Sequence, residues 1–235
     1  MGLYKSFHWL ILLTFIASLL GPVAGASAQT EPPSAQVQAI LTSMTPEERV
    51  GQLFLVTFSG TDTSETSRIY DLIMNNHVGG VILTAKNDNF VAEPDTVVSA
   101  RQLTENLQNI EWDATVAPSQ GLGNQSIYVP LFVGISQEGD GAPRDQILSG
   151  LTGLPNEMAI GATWKTDLAE QVGSVLGSEL SALGFNLLLG PSLDVVEAPN
   201  PSAQTDLGTR VFGGDPFWVG EMGSAYIAEI GRAHV

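Results

Sequence analysis

The chain has 235 residues, 43% hydrophobic and 14% charged, the composition of a packed globular protein of one domain or one and a half rather than of a disordered chain. Nine Lys and Arg against 25 Asp and Glu leave a net charge of −16, a surface that repels phosphate backbones and argues against nucleic acid as a partner. With no cysteine, disulfides, thiolate metal sites and cysteine nucleophiles are excluded, and stability rests on the core.

At the start, Lys5 and His8 precede an apolar run from Trp9 to Leu20, and Gly21-Pro22 leads to Ala26-Ser27-Ala28. A basic segment, an apolar segment and a small-x-small site predict a signal peptide over residues 1–28, cut after Ala28, and hence a secreted or cell-envelope protein. The run is short for a membrane span, so a membrane is a partner only if this segment stays uncleaved. Cleavage leaves 8 Lys and Arg against 25 Asp and Glu, a net of −17.

Residues 29–41 read as a polar, proline-bearing linker and a short helix with Val37, Ile40 and Leu41 on one side. Thr45-Pro46-Glu47-Glu48 predicts a second helix, with Thr45 as cap, Pro46 in the first position and Glu48 closing a capping box. Gln52–Phe58 is a nearly continuous apolar run, expected to form a strand covered on both faces. The pattern then repeats. A helix is expected over 64–76, a buried strand over Val78–Thr84, a helix over 95–110, a loop from Glu111 to Tyr128 and a strand over Leu131–Ile135. Thr166 is expected to cap a long helix stopped by Gly184, Phe185–Leu189 is a fourth strand, and Asp215-Pro216 opens another helix.

Strands too apolar to face water, alternating with helices, predict an α/β fold with a parallel sheet. Two architectures fit: a doubly wound open sheet, or the first four units of an eight-unit barrel. Both place ligands at the carboxyl ends of the strands. Ser136 to Arg144 lies at such an end, which accounts for the abrupt polarity after Leu131–Ile135.

Gly134-Ile-Ser136-Gln-Glu138 begins like a nucleophile elbow but has Glu where the last Gly is required. The histidine left for a triad, His77, precedes the second strand, at the wrong end, and is expected to be a helix-end residue. A histidine metal site fails for want of histidines. Gly121-Leu-Gly123-Asn-Gln-Ser126 precedes a strand instead of following one, a poor dinucleotide loop, and Asn124-Gln-Ser126 is a glycosylation sequon only in a eukaryotic secretory pathway. Arg144 follows the third strand and Arg210 the fourth, each after a glycine-rich turn where a forked donor can clamp a polyhydroxylated or anionic ligand. Asp194 sits just past the fourth strand and can also cap a loop amide; Glu138 can orient an arginine or the backbone. No cofactor is called for.

The last residues, Glu229 to Val235, can be back-translated into a codon string that matches a widely used short-read sequencing adapter. The expectation is that the natural frame is lost near Ala228, that the chain is an N-terminal fragment, and that Arg232 and His234 carry no mechanism.

In order and spacing, "MTPEERVGQLFLV", "VGGVILT", "PLFVGISQEGDGAPR", "LSALGFNLLLGPSLDV" and "GTRVFGGDP" resemble the N-terminal barrel domain of glycoside hydrolase family 3, from about Thr42 to Ile227. The "QEG" form is similar to the β-N-acetylhexosaminidase branch, whose motif reads Ile-Asp-Gln-Glu-Gly-Gly-Arg-Val-x-Arg. The resemblance implies the first half of a (β/α)8 barrel over residues 42–228 and a carbohydrate substrate. Arg144 falls on the motif's second sugar-binding arginine, Arg210 on the arginine before Phe-Gly, and Asp194 on the aspartate of Pro-x-x-Asp. Ser136 stands where the family has an aspartate that bonds sugar hydroxyls, and Asp140 replaces a glycine, so the exact sugar is left open.

Such enzymes retain configuration through a carboxylate nucleophile and a general acid/base. In the hexosaminidase branch these are an aspartate on a late strand and a histidine in a loop after the fifth strand. Neither is present, so the resemblance implies substrate-binding residues (Arg144, Arg210, Asp194, Ser136, Glu138), no catalytic residue in this chain, and an inactive fragment of an exported β-N-acetylhexosaminidase. A β-glucosidase or another family 3 specificity, and a non-catalytic sugar-binding protein, are the alternatives.

Overall fold

The computed structural model of the chain describes residues 34–92, 94–116, 128–139, 141–142, 144–196 and 207–232. The expected signal peptide, the Gly121–Ser126 segment with its sequon, Asp140 and the last three residues lie outside the described residues. The chain divides into two units after Gln38, and the larger, Ala39–Val235, holds the sheet. No helix among the described residues is long and apolar enough to cross a membrane.

Helix α1 (Ala35–Ser43) buries none of its residues. Helix α2 (Pro46–Gly51) opens on the expected capping box: the Glu48 amide donates to Thr45 Oγ1 at 3.2 Å and the Thr45 amide to Glu48 Oε2 at 2.7 Å. There follow β1 (Leu55–Val56), α3 (Arg68–Met74), β2 (Gly80–Ile82), a 3-10 turn (Ala85–Asn87), α4 (Thr96–Val116), β3 (Phe132–Ile135), the short α5 (Glu157–Gly161), α6 (Thr166–Ala182), β4 (Leu187–Leu188), a second 3-10 turn (Gly208–Arg210) and α7 (Pro216–Arg232).

The four strands are parallel and lie in the order β1-β2-β3-β4. A doubly wound sheet reverses its strand order at a switch point; here every strand adds to the same side. Right-handed crossovers then put all the connecting helices on one face, and a sheet covered that way curls toward a barrel. The register sets Val56, Val81, Val133, Ile135 and Leu188 on the helix-covered face, where Val81, Val133 and Ile135 are fully buried against Ile73, Leu107, Leu176 and Leu180. Leu55, Gly80, Ile82, Phe132, Gly134 and Leu187 point the other way.

Several expectations need correction. The strand expected over Gln52–Phe58 pairs only at Leu55–Val56, because the end of α2 continues as a turn in which the Leu53 and Phe54 amides bond the Val50 and Gly51 carbonyls. Nor is it covered on both faces, since Leu55 is 48% exposed, as is Phe132 on the same sheet face in β3 at 54%. Helix α4 runs six residues past its expected end. Thr166 is the first residue of α6 rather than its cap; Lys165 holds that position and makes no side-chain cap bond.

Gly184 stops α6 as expected, at φ +86°, with its amide on Ser181 and the Phe185 amide on the Leu180 carbonyl. His77 sits at the end of α3 in a left-handed conformation, its amide on the Ile73 carbonyl, a helix-end role as expected. Asp215 caps α7, its carboxylate accepting the Trp218 amide at 2.8 Å.

An apolar sheet face and the outer edges of β1 and β4, unpaired among the described residues, are together a template for association. The chain is expected to run above monomer mass in size exclusion with light scattering and to bind a hydrophobic dye. Leu55→Lys and Phe132→Lys should each lower both signals; a monodisperse, dye-silent parent chain would refute the expectation.

Candidate functional site

β3 ends at Ile135, and the next three residues turn back over the sheet with their side chains largely covered. The buried polar groups of this turn are hydrogen-bonded. The Gln137 carboxamide oxygen accepts the Gln146 and Ile147 amides at 3.1 Å each, and its nitrogen donates to the Ile147 carbonyl at 2.9 Å. Asp145 gathers three backbone amides: Glu138 and Gly139 on Oδ1, both at 2.8 Å, and Gly141 on Oδ2 at 2.9 Å. A carboxylate in a nest of amides is a satisfied anion, and it fixes the loop. Gly139 holds φ +86°, and a Cβ there would stand 2.9 Å from the Leu154 and Pro155 carbonyl oxygens, so only glycine fits.

That loop presents Glu138. Its side chain is 2% exposed, and Arg210, 72 positions later, forks onto it: Nε donates to Oε2 at 2.5 Å and Nη2 to Oε1 at 2.7 Å. The Ser136 hydroxyl lies 3.4 Å from Glu138 Oε1. This hydrogen-bonded pair, with the charges of Glu138, Glu157 and Asp194, holds the Arg210 guanidinium above its usual pKa. Arg144 reaches the same turn from the other side, Nη1 donating to Thr209 Oγ1 at 2.5 Å, with Nη2 3.5 Å from the Leu207 carbonyl oxygen. Asp194 stays exposed on its loop and accepts the Ser192 hydroxyl at 3.2 Å, a side-chain contact in place of the loop amide left open by its sequence.

Of the five expected site residues, Ser136, Glu138 and Arg210 are thus in one hydrogen-bonded group, Arg144 joins through the Leu207–Arg210 segment, and Asp194 acts on Arg210 through charge. Behind the loop, toward α6 and α7, a cavity of 260 Å³ is lined by Gln137, Glu138, Asp145, Thr152, Glu179 and Tyr226, among others. Among the described residues no group of three or more His, Asp or Glu is placed to hold a metal ion.

Sequence reasoning missed three members. Gln137 and Asp145 carried a signal, a polar residue on either side of a Gly-rich loop that must close on itself. Glu157 carried none. It begins α5, is 1% exposed, and neither carboxylate oxygen has a hydrogen-bond partner among the described residues. Burial pushes its pKa up to about 7, with the Glu138 charge adding to the shift and its own amide, Arg210 and Arg144 opposing it. At the opposite end of the sheet Glu111, buried beside Glu48, is likewise raised to about 7, first by burial and then by the Glu48 charge.

A parallel sheet laid down in chain order, carrying an arginine–carboxylate cluster on the loops at its carboxyl end, is the build of a barrel enzyme's first half. Residues 45–235 match the family model of the glycosyl hydrolase family 3 N terminal domain, and the chain belongs to that family. It is 29% identical to the β-N-acetylglucosaminidase/β-glucosidase of Cellulomonas fimi, over 83% of this chain and 29% of that protein. It is 28% identical to β-hexosaminidase A of Pseudoalteromonas piscicida, over 88% of this chain and 28% of that one. Among solved structures, a family 3 β-N-acetylglucosaminidase from Paenibacillus sp. superposes with a TM-score of 0.66 at 30% identity, covering 81% of this chain and 31% of that one. The chain therefore spans under a third of the length of these relatives. Its fold is the four-stranded first half of the family's barrel, and its likeness is to β-hexosaminidases.

Two predictions follow from the cluster. Arg210→Ala leaves Glu138 buried and unpaired, and should lower unfolding stability by about 3 kcal/mol in urea melts, where surface arginine substitutions cost well under 1. The pH dependence has a definite sign. Glu157 and Glu111 release their protons near 4.5 when unfolded and near 7 when folded, so between those values the folded state holds more protons and stability falls as pH rises. Glu157→Gln should raise the melting temperature by roughly 3–6 °C at pH 8. At pH 4.5 it should change little.

Proposed function

We propose that the chain forms the sugar-holding half of an exported, retaining glycoside hydrolase that removes terminal β-N-acetylhexosaminides from cell-wall or chitin-type oligosaccharides. The observation that carries this reading is the Arg210–Glu138 fork at the carboxyl end of β3, on the "QEG" segment, with Arg144 bonded to Thr209, the residue before Arg210. A guanidinium has five N–H donors, and Glu138 engages two of them. The remainder of Arg210, about a third exposed, is aimed by a buried partner and can bond sugar hydroxyls. Ser136 adds a hydroxyl without charge.

No described residue is assigned as nucleophile or as acid/base, and the 235-residue chain alone is expected to release nothing from an aryl N-acetyl-β-glucosaminide. In a protein that carries this chain within a whole family barrel, the same substrate should be cleaved in preference to the β-glucoside. There, Arg210→Lys keeps a charge beside Glu138 but loses the fork, and should lower kcat/KM by about 100-fold with the circular dichroism unchanged. Ser136 favours a second reading, a β-glucosidase, and preferential cleavage of the β-glucoside would establish it. Sugar binding without cleavage of either substrate would leave a non-catalytic sugar-binding protein.

A further inference from the structure

Trp164 and Trp218 stand apart from the cluster described above. Their ring centroids are 5.0 Å apart with 28° between planes, a stacked pair. Trp164 is nonetheless 67% exposed, and the adjacent Phe217 is 73% exposed. Trp164 also holds φ +56°, a left-handed backbone that bulky side chains rarely adopt. Hydrogen bonds to one carbonyl keep it there: the Trp164 amide donates to the Gly161 oxygen at 3.1 Å, and Trp218 Nε1 approaches that oxygen at 3.4 Å.

This pair sits on the end of α5. That helix begins at Glu157, whose charge is felt by Arg210 and Arg144, and ends at Gly161, where a Cβ would be 1.8 Å from the Phe212 carbonyl oxygen, two residues past Arg210. Five helical residues span about 7 Å, so the rings lie roughly one short helix from the arginine cluster. They are on its end of the sheet, since Trp164 and Trp218 stand at the starts of α6 and α7, the helices that flank β4.

We propose that Trp164, stacked on Trp218, and the exposed Phe217 beside Trp218 in the chain form a binding platform for the body of a β-linked pyranose chain whose terminal sugar is held at the arginine cluster. The occupant rests on the function proposed above; the platform rests on its own geometry. An aromatic face carries negative potential, and the C–H-lined face of a β-linked pyranose carries positive, so the two stack. Stacking on Trp218 and the bonded turn fix Trp164 in advance, which limits the freedom lost on binding. The net charge of −16 disfavours an anionic polymer and leaves a neutral one welcome. A protein partner is a poorer fit. Three partly exposed rings offer on the order of 400 Å², half of the roughly 800 Å² that each side of a stable protein interface buries.

The test is tryptophan fluorescence of the full chain titrated with β-1,4-linked N-acetylglucosamine oligomers of three to six units, and separately with the monosaccharide. Asn tolerates a left-handed backbone, so Trp164→Asn removes the ring while keeping the turn; Phe217→Ala removes an exposed ring and serves as a second variant. The expected result is a fluorescence change with the longer oligomers that Trp164→Asn weakens at least tenfold and Phe217→Ala about threefold, with the monosaccharide response unaltered. Oligomer affinity unchanged in both variants overturns the platform, as does no oligomer binding by the parent chain. Oligomer binding lost in Trp164→Asn, alongside failure of the complete protein to cleave or bind the terminal sugar, sustains the platform and removes the hydrolase reading instead.

Discussion

The Glu138 carboxylate is the constraint around which the functional end of the molecule is arranged. A nearly fully buried charge is tolerable only with an opposite charge and complete hydrogen bonding, and the partner is supplied from 72 positions away by Arg210. The fork therefore ties the loop after β3 to the turn after β4. Asp145 holds the first of these from inside through three amides, and Arg144 holds the second through Thr209. A bidentate pair also fixes the guanidinium plane, so one interaction both closes two loops and aims the donors left over.

The sheet beneath is built for the same end. On the helix side Val81, Val133 and Ile135 are buried to completion, and the opposite face pairs two glycines, Gly80 and Gly134, with Leu55, Ile82, Phe132 and Leu187. A barrel interior is filled by layers of side chains from alternate strands, and a large apolar side chain beside a glycine in the neighbouring strand is how such a layer interdigitates. The Cβ that Gly134 lacks would stand 2.5 Å from Ile82 Cδ1, which shows where that room is used. That face is chemically an interior, and its exposure among the described residues is the physical source of the self-association expected of the chain.

Much of this was legible in the residues, and the unreadable parts have physical causes. The capping box at Thr45, the stop at Gly184 and the start at Asp215 are local chemistry and appear where the sequence puts them. Hydrophobic runs located all four strands but overstated their length, because an apolar run marks burial and strand pairing needs a neighbour in register as well. Ser136, Glu138, Arg144 and Arg210 were found because polar residues at strand ends are conspicuous. Glu157 was invisible: a lone Glu opening a five-residue helix looks like a surface residue favouring a helix start, and its burial depends on packing from distant segments.

Glu157 adds one more carboxyl to the site. Arg144 and Arg210 stand among Glu138, Asp194 and Asp145, two cations and three anions, of which Glu138 is forked by Arg210 and Asp145 is held by three backbone amides. A fourth carboxylate would have no hydrogen bond to hold it, and a pKa of about 7, raised by burial, lets Glu157 stay protonated on the acidic side of neutrality. As the pH rises past 7 that proton is lost, and a buried carboxylate without hydrogen bonds then weighs against the fold.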